Sequence, residues 1–355
     1  MVWRAILQII LLALGFVLLV KGADFFVDGA SGIAKKLKVS TFIIGATVVA
    51  FGTSAPELAV TITDAAGGTG ELIVGNILGS NIFNIFLILG LSAVVAKLPV
   101  EKTTRYIDLP FLILISGLFV LSGFIGWSFT WWEGLILILL YIGFMVYNAI
   151  LAKKQSQAQL EQATATAATF EGDNAVSTPP AGFFQKMKTG YENLLSKVWF
   201  LIVITIAGLG MVVGGAQLVV NSAQFIAKDL IGIPAEIVAL TVVAFGTSLP
   251  ELVTSVSAAK KGDVGIATGN VIGSNIANIL LIGGVGAACT GSNGLPFSTE
   301  GLISGLVALF AAILIFVSSL GKSKSLGKIA GITMLVCLVV YYIFIFLNFY
   351  ILHIY

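Results

Sequence analysis

The chain has 355 residues, of which 58% are hydrophobic and 10% are charged, and its mean hydropathy is +1.05. A water-soluble domain of this length needs a far more polar surface, so the composition indicates a polytopic membrane protein. The net charge of +2 gives no indication of nucleic-acid binding. Two cysteines in apolar runs and one histidine near the C-terminus argue against a disulfide framework and a histidine-based metal site.

The hydrophobic residues are grouped into ten apolar segments along the chain. Most of them are near or above the roughly 20 residues that a helix needs to cross a bilayer. We therefore predict an all-α fold of ten transmembrane helices. The segments span approximately residues 4–34, 40–64, 70–96, 109–125, 131–151, 198–227, 236–259, 264–289, 300–319 and 328–350.

Two sequence blocks of the first half recur in the second half. T-V-V-A-F-G-T-S-A-P-E at 47–57 returns as T-V-V-A-F-G-T-S-L-P-E at 241–251, and G-N-I-L-G-S-N-I-F-N at 75–84 returns as G-N-V-I-G-S-N-I-A-N at 269–278. Because each half holds five segments, an odd number, the halves enter the membrane from opposite sides, as in many secondary transporters. The predicted units are an N-terminal five-helix repeat at 1–151, a cytoplasmic linker loop at 152–197 and a C-terminal inverted five-helix repeat at 198–355.

The basic residues gather on one side of this predicted topology. With the N-terminus outside, the inner loops contain all of the 19 Lys and Arg residues except Arg4, Lys21 and Lys228, which is a strong positive-inside bias. We therefore predict that both termini face outward from the cell (inner) membrane. The longest inner loop is rich in Gln, Ala and Thr, which indicates a disordered or partly helical linker. The predicted inner loops are 35–39, 97–108, 152–197, 260–263 and 320–328.

A proline followed by a glutamate interrupts the second and the seventh apolar segments. Pro56 and Pro250 cannot donate a backbone hydrogen bond, and each clashes with the carbonyl four residues earlier. Freed carbonyls are tolerated within a bilayer only where protein, water or an ion satisfies them. Glu57 and Glu251 come directly after these prolines, and intramembrane acids are costly and usually functional. We therefore predict that helices 2 and 7 are broken and that an ion site lies where they meet.

Oxygen-bearing side chains surround both breaks in the sequence. Their number suits a hard cation such as Ca²⁺, which takes six to eight oxygen ligands. Because no Cys or His is among these side chains, the set favours Na⁺ or Ca²⁺ over Zn²⁺ or Cu²⁺. The glycines of the second block also form small-x-x-x-small motifs, for which helix packing is the simpler interpretation. The candidate side chains are Thr53, Ser54, Thr247 and Ser248 at the breaks, with Asn76, Ser80 and Asn84 in the first half and Asn270, Ser274 and Asn278 in the second.

The paired motifs resemble those of a known family. G-T-S-A-P-E at 52–57 and G-T-S-L-P-E at 246–251, each followed by G-N-x-x-G-S-N, are similar to the two alpha-repeats of sodium/calcium exchangers of the cation/Ca²⁺ exchanger superfamily, prokaryotic type. The resemblance covers nearly the whole chain. It implies ten helices, an outward N-terminus and alternating access by sliding of the first and sixth helices.

The same resemblance implies a set of ligands. Ca²⁺ would be held by the carboxylates of Glu57 and Glu251 and by the carbonyls of Thr53 and Thr247. Potassium-dependent exchangers and certain archaeal members carry an Asp where this chain has Asn278, so K⁺ transport and a third protonatable acid are not expected. The implied Na⁺ ligands are Ala50, Ser54, Glu57, Ser80, Ala244, Thr247, Ser248, Glu251 and Ser274, and the implied lining residues are Asn76, Asn84, Asn270 and Asn278.

The function that follows is secondary active antiport of Na⁺ and Ca²⁺. Two alternatives stay open at this point: an H⁺/Ca²⁺ antiporter with Glu57 and Glu251 as proton carriers, and a cation-selective channel. No arrangement of nucleophile and base indicates an enzyme. The expected partners are inorganic cations and the lipid bilayer, with no cofactor and no obligatory protein partner.

Overall fold

The computed structural model describes residues 2–67, 71–126, 128–167, 195, 197–226, 244–291, 294–321 and 324–352. Among these residues, eight helices are long and apolar enough to cross a bilayer, and a ninth span results if one bent helix pair is counted as a single crossing. The predicted all-helical polytopic membrane fold is therefore confirmed. The count of ten helices stays a prediction, because residues 227–243, which include the start of the predicted seventh segment, lie outside the described residues.

The first half contains the N-terminal helix, the bent second span and three further spans. Short π-helical turns at Gly45–Val49, Asn84–Leu89 and Thr104–Asp108 lie within or at the start of these spans. The α-helices are α1 (Val2–Leu37), α2 (Thr41–Ile44), α3 (Ala50–Thr53), α4 (Ala55–Gly67), α5 (Glu71–Phe83), α6 (Gly90–Val95), α7 (Leu109–Gly126) and α8 (Trp131–Ala167), and the strands are β1 (Leu98–Pro99) and β2 (Ser128–Phe129).

The second half repeats this order as far as it is described. A π-helical turn at Asn278–Ile282 occupies the place that Asn84–Leu89 has in the first half. The α-helices are α9 (Val198–Phe225), α10 (Ala244–Thr247), α11 (Leu249–Lys261), α12 (Val264–Ala277), α13 (Gly283–Cys289), α14 (Thr299–Ser319) and α15 (Lys328–Leu352), and the strands are β3 (Leu295–Pro296) and β4 (Ser325–Leu326).

The two strand pairs connect the halves crosswise. β1 pairs antiparallel with β4, which aligns Leu98 with Leu326, and β2 pairs antiparallel with β3, which aligns Ser128 with Pro296. In each pairing, the strand that follows the third span of one half meets the strand between the last two spans of the other half. The two pairings are thus equivalent when the halves are exchanged.

The centre of the bundle is formed by the two spans that carry the G-N-x-x-G-S-N blocks. Within its most apolar window, Ile73–Val95 is 72% buried and Val264–Cys289 is 83% buried, whereas the first and last spans are each only 17% buried. Hydrophobic side chains at the periphery face outward, as expected for a lipid-exposed surface. The repeated blocks therefore lie in the protein interior, where a polar side chain needs a partner.

Helices α1 and α9 are packed backbone to backbone in antiparallel directions. A Cβ added at Gly208 would lie 2.5 Å from the nitrogen of Phe26 and 2.8 Å from the carbonyl oxygen of Gly22. A Cβ added at Gly215 would lie 2.8 Å from the carbonyl oxygen of Gly15. Such close approach requires small residues, and in membranes it allows strong van der Waals contact between helices. The first and sixth predicted segments are thus joined along a glycine-lined face.

The second span is bent at Ser54. The helical axis turns by 41° between Thr41–Thr53 and Ala55–Ile62. Ser54 has φ −82° and ψ 9°, and Ser248 has nearly the same conformation, with φ −86° and ψ 3°. Because Pro56 and Pro250 lack an N–H group, neither helix can continue its regular hydrogen-bonding pattern through these positions. For the seventh segment, the part before residue 244 is not among the described residues, so the prediction of two broken helices stays a prediction.

One sequence-based boundary differs from the structure. Arg105 was assigned to an inner loop, but it lies in the π-helical turn that begins the fourth span and is buried. Its Nη2 donates to the carbonyl oxygens of Val100 at 3.0 Å and Lys324 at 3.1 Å, beside the β1–β4 pair, whereas its Nε is buried without a hydrogen-bond partner among the described residues. Helix α8 continues beyond 151 to Ala167, so the start of the predicted linker is helical, and the assignment of 152–197 as a cytoplasmic linker stays a prediction.

Candidate functional site

Two buried carboxylates lie one turn after the two breaks. Glu57 is in the first turn of α4 and Glu251 in the first turn of α11, and their exposed fractions are 2% and 1%. Ser54, at the first break, donates its hydroxyl to Oε1 of Glu251 at 3.0 Å. The break in one half therefore contacts the carboxylate of the other half. The Oε2 atoms of Glu57 and Glu251 are buried and have no hydrogen-bond partner in the described part of the chain.

Several neutral oxygens of the same motifs are also buried without a partner. A buried polar atom that loses water and gains no hydrogen bond costs about 1–3 kcal/mol, so a group of them needs an explanation. A cation that binds these oxygens would supply the missing interactions. Counting both carboxylates, the motif oxygens without a hydrogen-bond partner among the described residues are Glu57 Oε2, Asn84 Oδ1, Ser248 Oγ, Glu251 Oε2, Ser274 Oγ and Asn278 Oδ1.

Helix packing brings these oxygens from both halves toward the same region. Helix α4, which carries Glu57, contacts the π-helical turn that begins at Asn278. Helix α11, which carries Glu251, contacts the π-helical turn that begins at Asn84. Each carboxylate therefore belongs to a helix that packs against the π-helical turn that an asparagine of the opposite half begins.

Asn76 and Asn270 are bonded to the backbone next to the carboxylates. Nδ2 of Asn76 donates to the carbonyl oxygen of Glu57 at 3.4 Å, and Nδ2 of Asn270 donates to that of Glu251 at the same distance. Asn270 also donates to Ser255 Oγ at 2.9 Å and accepts the hydroxyl of Thr53 at 3.0 Å. Both ends of the Asn270 amide are thus used by protein groups, so this residue holds the two breaks in place.

The other predicted site residues differ in how deeply they lie. Asn76 and Thr247 are half-buried. The carbonyl oxygen of Ala50 accepts a hydrogen bond from the backbone nitrogen of Ser54 at 3.0 Å, so it takes part in the bonding that crosses the first break. Ala244 is the first described residue of α10. The predicted site residues that are buried are Ala50, Thr53, Ser54, Glu57, Ser80, Asn84, Ser248, Glu251, Asn270, Ser274 and Asn278.

Asn81 and Asn275 have central contacts that the sequence reasoning did not assign. Nδ2 of Asn81 donates to the carbonyl oxygen of Asn275 at 3.3 Å, and Nδ2 of Asn275 donates to that of Asn81 at 3.4 Å. Their Oδ1 atoms accept from Asn278 and Asn84, respectively, at 3.0 Å each. The available signal was the repetition of an intramembrane asparagine at the same place in both blocks.

The acidic residues of α1 lie in a contact between helices. Nζ of Lys261 is 2.7 Å from Oδ1 of Asp28 and 3.5 Å from Oδ1 of Asp24, and Ser257 donates to Asp24 at 2.8 Å. These groups join α1 to the end of α11. Within the described residues, no group of three or more His, Cys, Asp or Glu side chains is placed so that it could hold a metal ion. The acidic side chains of the two repeated motifs are Glu57 and Glu251.

Comparison with known proteins gives consistent matches over most of the chain. The family model described as "Sodium/calcium exchanger protein" matches residues 7–150 and 200–349. Sodium/calcium exchanger MaX1 of Methanosarcina acetivorans is 33% identical over 336 residues, which cover 87% of this chain and 91% of that protein. Inner membrane protein YrbG of Escherichia coli is 30% identical over 322 residues, which cover 89% of this chain and 91% of that protein.

A solved structure agrees with these sequence matches. The structure of the sodium-calcium exchanger NCX_Mj, soaked with 2.5 mM Na⁺ and 10 mM Sr²⁺, superposes with a TM-score of 0.76 at 32% sequence identity. The alignment covers 95% of this chain and 98% of that one.

A polytopic bundle of apolar helices that matches exchangers in sequence and in structure over most of its length is an integral membrane cation exchanger. The chain belongs to the sodium/calcium exchanger family, as its paired motifs predicted. Its class of activity is therefore cation/Ca²⁺ exchange across a membrane.

Proposed function

We propose that this protein is a Na⁺/Ca²⁺ antiporter. Its ions would bind at one site between the repeated blocks of the first half and those of the second half. The observation that carries the proposal is the set of six unpartnered oxygens contributed by both halves, two of them from carboxylates. Two ionised glutamates balance one Ca²⁺ or two Na⁺, which allows these ions to replace each other. The proposed ligands are those that the family motifs imply, with Glu57 and Glu251 as the charged pair.

The support for Na⁺ rather than H⁺ as the coupling ion comes from the relatives that are named sodium/calcium exchangers. The neutral oxygens of Asn84, Ser248, Ser274 and Asn278 suit Na⁺ as well as Ca²⁺, because both ions need several oxygens in place of hydration water. An H⁺/Ca²⁺ antiporter would use the same oxygens for Ca²⁺, so the two coupling ions are separated by the following experiment.

Alternating access requires a part of the protein that moves while the site stays in place. The α1–α9 pair is suited to this role, because its glycine-lined contact joins two helices that are otherwise largely lipid-facing. Lys261 and Ser257 connect α1 to α11, the helix that carries Glu251. We propose that sliding of this pair exposes the site to one side of the membrane and then to the other.

The test is Ca²⁺ uptake by the purified protein in proteoliposomes. Vesicles loaded with Na⁺ and diluted into Na⁺-free buffer should take up ⁴⁵Ca²⁺, and choline-loaded vesicles should not. A protonophore should leave the uptake unchanged. Uptake that the protonophore abolishes would assign the coupling to H⁺, and uptake by choline-loaded vesicles would indicate a channel.

We expect the uptake to require no K⁺, because Asn278 supplies no negative charge. If three Na⁺ exchange for one Ca²⁺, as the resemblance to sodium/calcium exchangers implies, each cycle moves one net charge, worth about 2.3 kcal/mol per 100 mV, and uptake should respond to membrane potential. Replacing Asn278 with Asp should make uptake sensitive to K⁺ or to pH, since a third acid is added. Asn148→Asp, which places an acid at another buried asparagine, on α8, is the control. An unmodified protein that is inactive until K⁺ is added would contradict this interpretation.

We also expect the linker and the loop near residue 292 to lie on opposite sides of the membrane. In a background without Cys289 and Cys337, a single cysteine within 168–194 should react with an impermeant maleimide only from the cytoplasmic side. A single cysteine near 292 should react only from outside. Labelling of both positions from the same side would contradict the inverted arrangement of the halves.

A further inference from the structure

Four asparagines at the centre of the bundle form a crossed set of hydrogen bonds. Nδ2 of Asn278 donates to Oδ1 of Asn81, and Nδ2 of Asn84 donates to Oδ1 of Asn275, both at 3.0 Å. Asn81 and Asn275 in turn donate to each other's backbone carbonyls at 3.3 Å and 3.4 Å. All four side chains are at most 2% exposed, so these bonds are not in competition with water.

These contacts fix which way each amide points. A backbone carbonyl can only accept, so Asn81 must direct its NH₂ group toward the carbonyl of Asn275, which leaves its Oδ1 directed at Asn278. That oxygen also can only accept, so Asn278 must present its own NH₂ group to it. The Oδ1 of Asn278 is then left without a partner. The same sequence of bonds runs from Asn275 to Asn84.

The orientation of the Asn84 and Asn278 amides decides whether they attract or repel a cation. If either amide were rotated by 180°, its NH₂ group, with partial positive charge, would lie where its oxygen now lies. The arrangement excludes this orientation for both residues, because it would set the Oδ1 of Asn278 against the Oδ1 of Asn81, and the Oδ1 of Asn84 against the Oδ1 of Asn275. Each of these oxygens is thus oriented by an asparagine of the opposite half.

We propose that Asn81 and Asn275 are positioning residues that hold the amide oxygens of Asn278 and Asn84 toward the transported cation. This inference rests on the proposed ion site, and it adds two residues that do not touch the ion. Because the bonds cross between the halves, they also keep the two central spans together while other helices move. The affinity for a cation should therefore depend on Asn81 through Asn278, and on Asn275 through Asn84.

The experiment is a set of double-mutant comparisons with Ca²⁺ binding as the measurement. Binding of ⁴⁵Ca²⁺ to the purified, detergent-solubilised protein is measured for Asn81→Ala, Asn278→Ala, Asn84→Ala and the doubles 81/278 and 81/84. Each single change should weaken binding about five- to tenfold, as expected for the loss of one ligand or one orienting hydrogen bond. The 81/278 double should bind about as well as Asn278→Ala alone, since there is no longer an amide to orient. The 81/84 double should show the product of the two single effects.

Controls separate positioning from a general loss of structure. Asn148→Ala removes another buried asparagine, which donates to the carbonyl of Phe144 in its own helix, and it should leave Ca²⁺ affinity unchanged. If Asn81→Ala does not fold, Asn275→Ala provides the equivalent series for Asn84. Asn81→Ser provides a second variant at 81, because a serine hydroxyl is too short to replace the amide.

Multiplicative effects in the 81/278 double, or unchanged affinity in Asn81→Ala, would overturn the proposal. Because Ca²⁺ binding is measured without a Na⁺ gradient, this outcome is distinct from a failure of Na⁺ coupling. The latter would show as absent Na⁺-driven uptake by the unmodified protein.

Discussion

Replacing Glu57 or Glu251 with Gln is expected to reduce Ca²⁺ uptake to the background of empty vesicles. Each change removes half of the negative charge that faces a divalent ion in the protein interior. Two unit charges 4 Å apart interact with about 4 kcal/mol at an effective dielectric constant of about 20, which corresponds to roughly a thousandfold in affinity. Glutamine has nearly the same shape, and its amide oxygen can still accept a hydrogen bond such as that from Ser54 to Glu251, so the protein should still insert and fold.

Glu133→Gln is the matched control for this loss of charge. Glu133 lies in the first turn of α8, where its carboxylate accepts from the backbone nitrogen of Thr130 at 2.8 Å. Its replacement removes the same charge outside the proposed site, and uptake should stay close to normal. Near-normal uptake by both Glu57→Gln and Glu251→Gln would assign these glutamates to a structural role and contradict the proposed site.

Replacing Gly208 with Ala should also reduce transport strongly, in this case through helix packing. The added methyl group would lie 2.5 Å from the backbone nitrogen of Phe26, and neither backbone can move aside as a side chain can. Overpacking of this kind typically costs about 1–3 kcal/mol. We expect a clear decrease in melting temperature in detergent and at least about a tenfold loss of uptake, because α1 and α9 would be forced apart.

Gly210→Ala is the control on the same helix. A Cβ at this position meets no described atom within 4 Å, and the residue is exposed. It should therefore behave like the unmodified protein, whereas Gly22→Ala, which faces Gly208 across the contact, should reproduce the defect. Equal uptake and equal melting temperatures for the alanine variants at 208 and 210 would show that the close contact is not required.

The sequence alone determined the class of the protein and the location of its candidate site along the chain. The excess of apolar residues over charged ones leaves no soluble alternative, because a bilayer is the solvent that such a surface requires. The repeated Pro-Glu pairs identify two acids inside apolar segments, and a charge in that environment needs a function or a partner. Glu57 and Glu251 could therefore be selected from local chemistry and repetition without any three-dimensional information.

The tertiary structure decided which polar groups have hydrogen-bond partners and which have none among the described residues. Arg105 appears in the sequence as a loop cation, yet Lys324, more than two hundred residues away, supplies a carbonyl for its guanidinium. Asn270 and Asn278 look equivalent as members of one block, but Thr53 occupies the oxygen of Asn270, whereas the oxygen of Asn278 has no partner. The reason is physical: the partner of a buried amide is set by how the two halves cross, and the spacing of residues along one helix contains no information about that crossing.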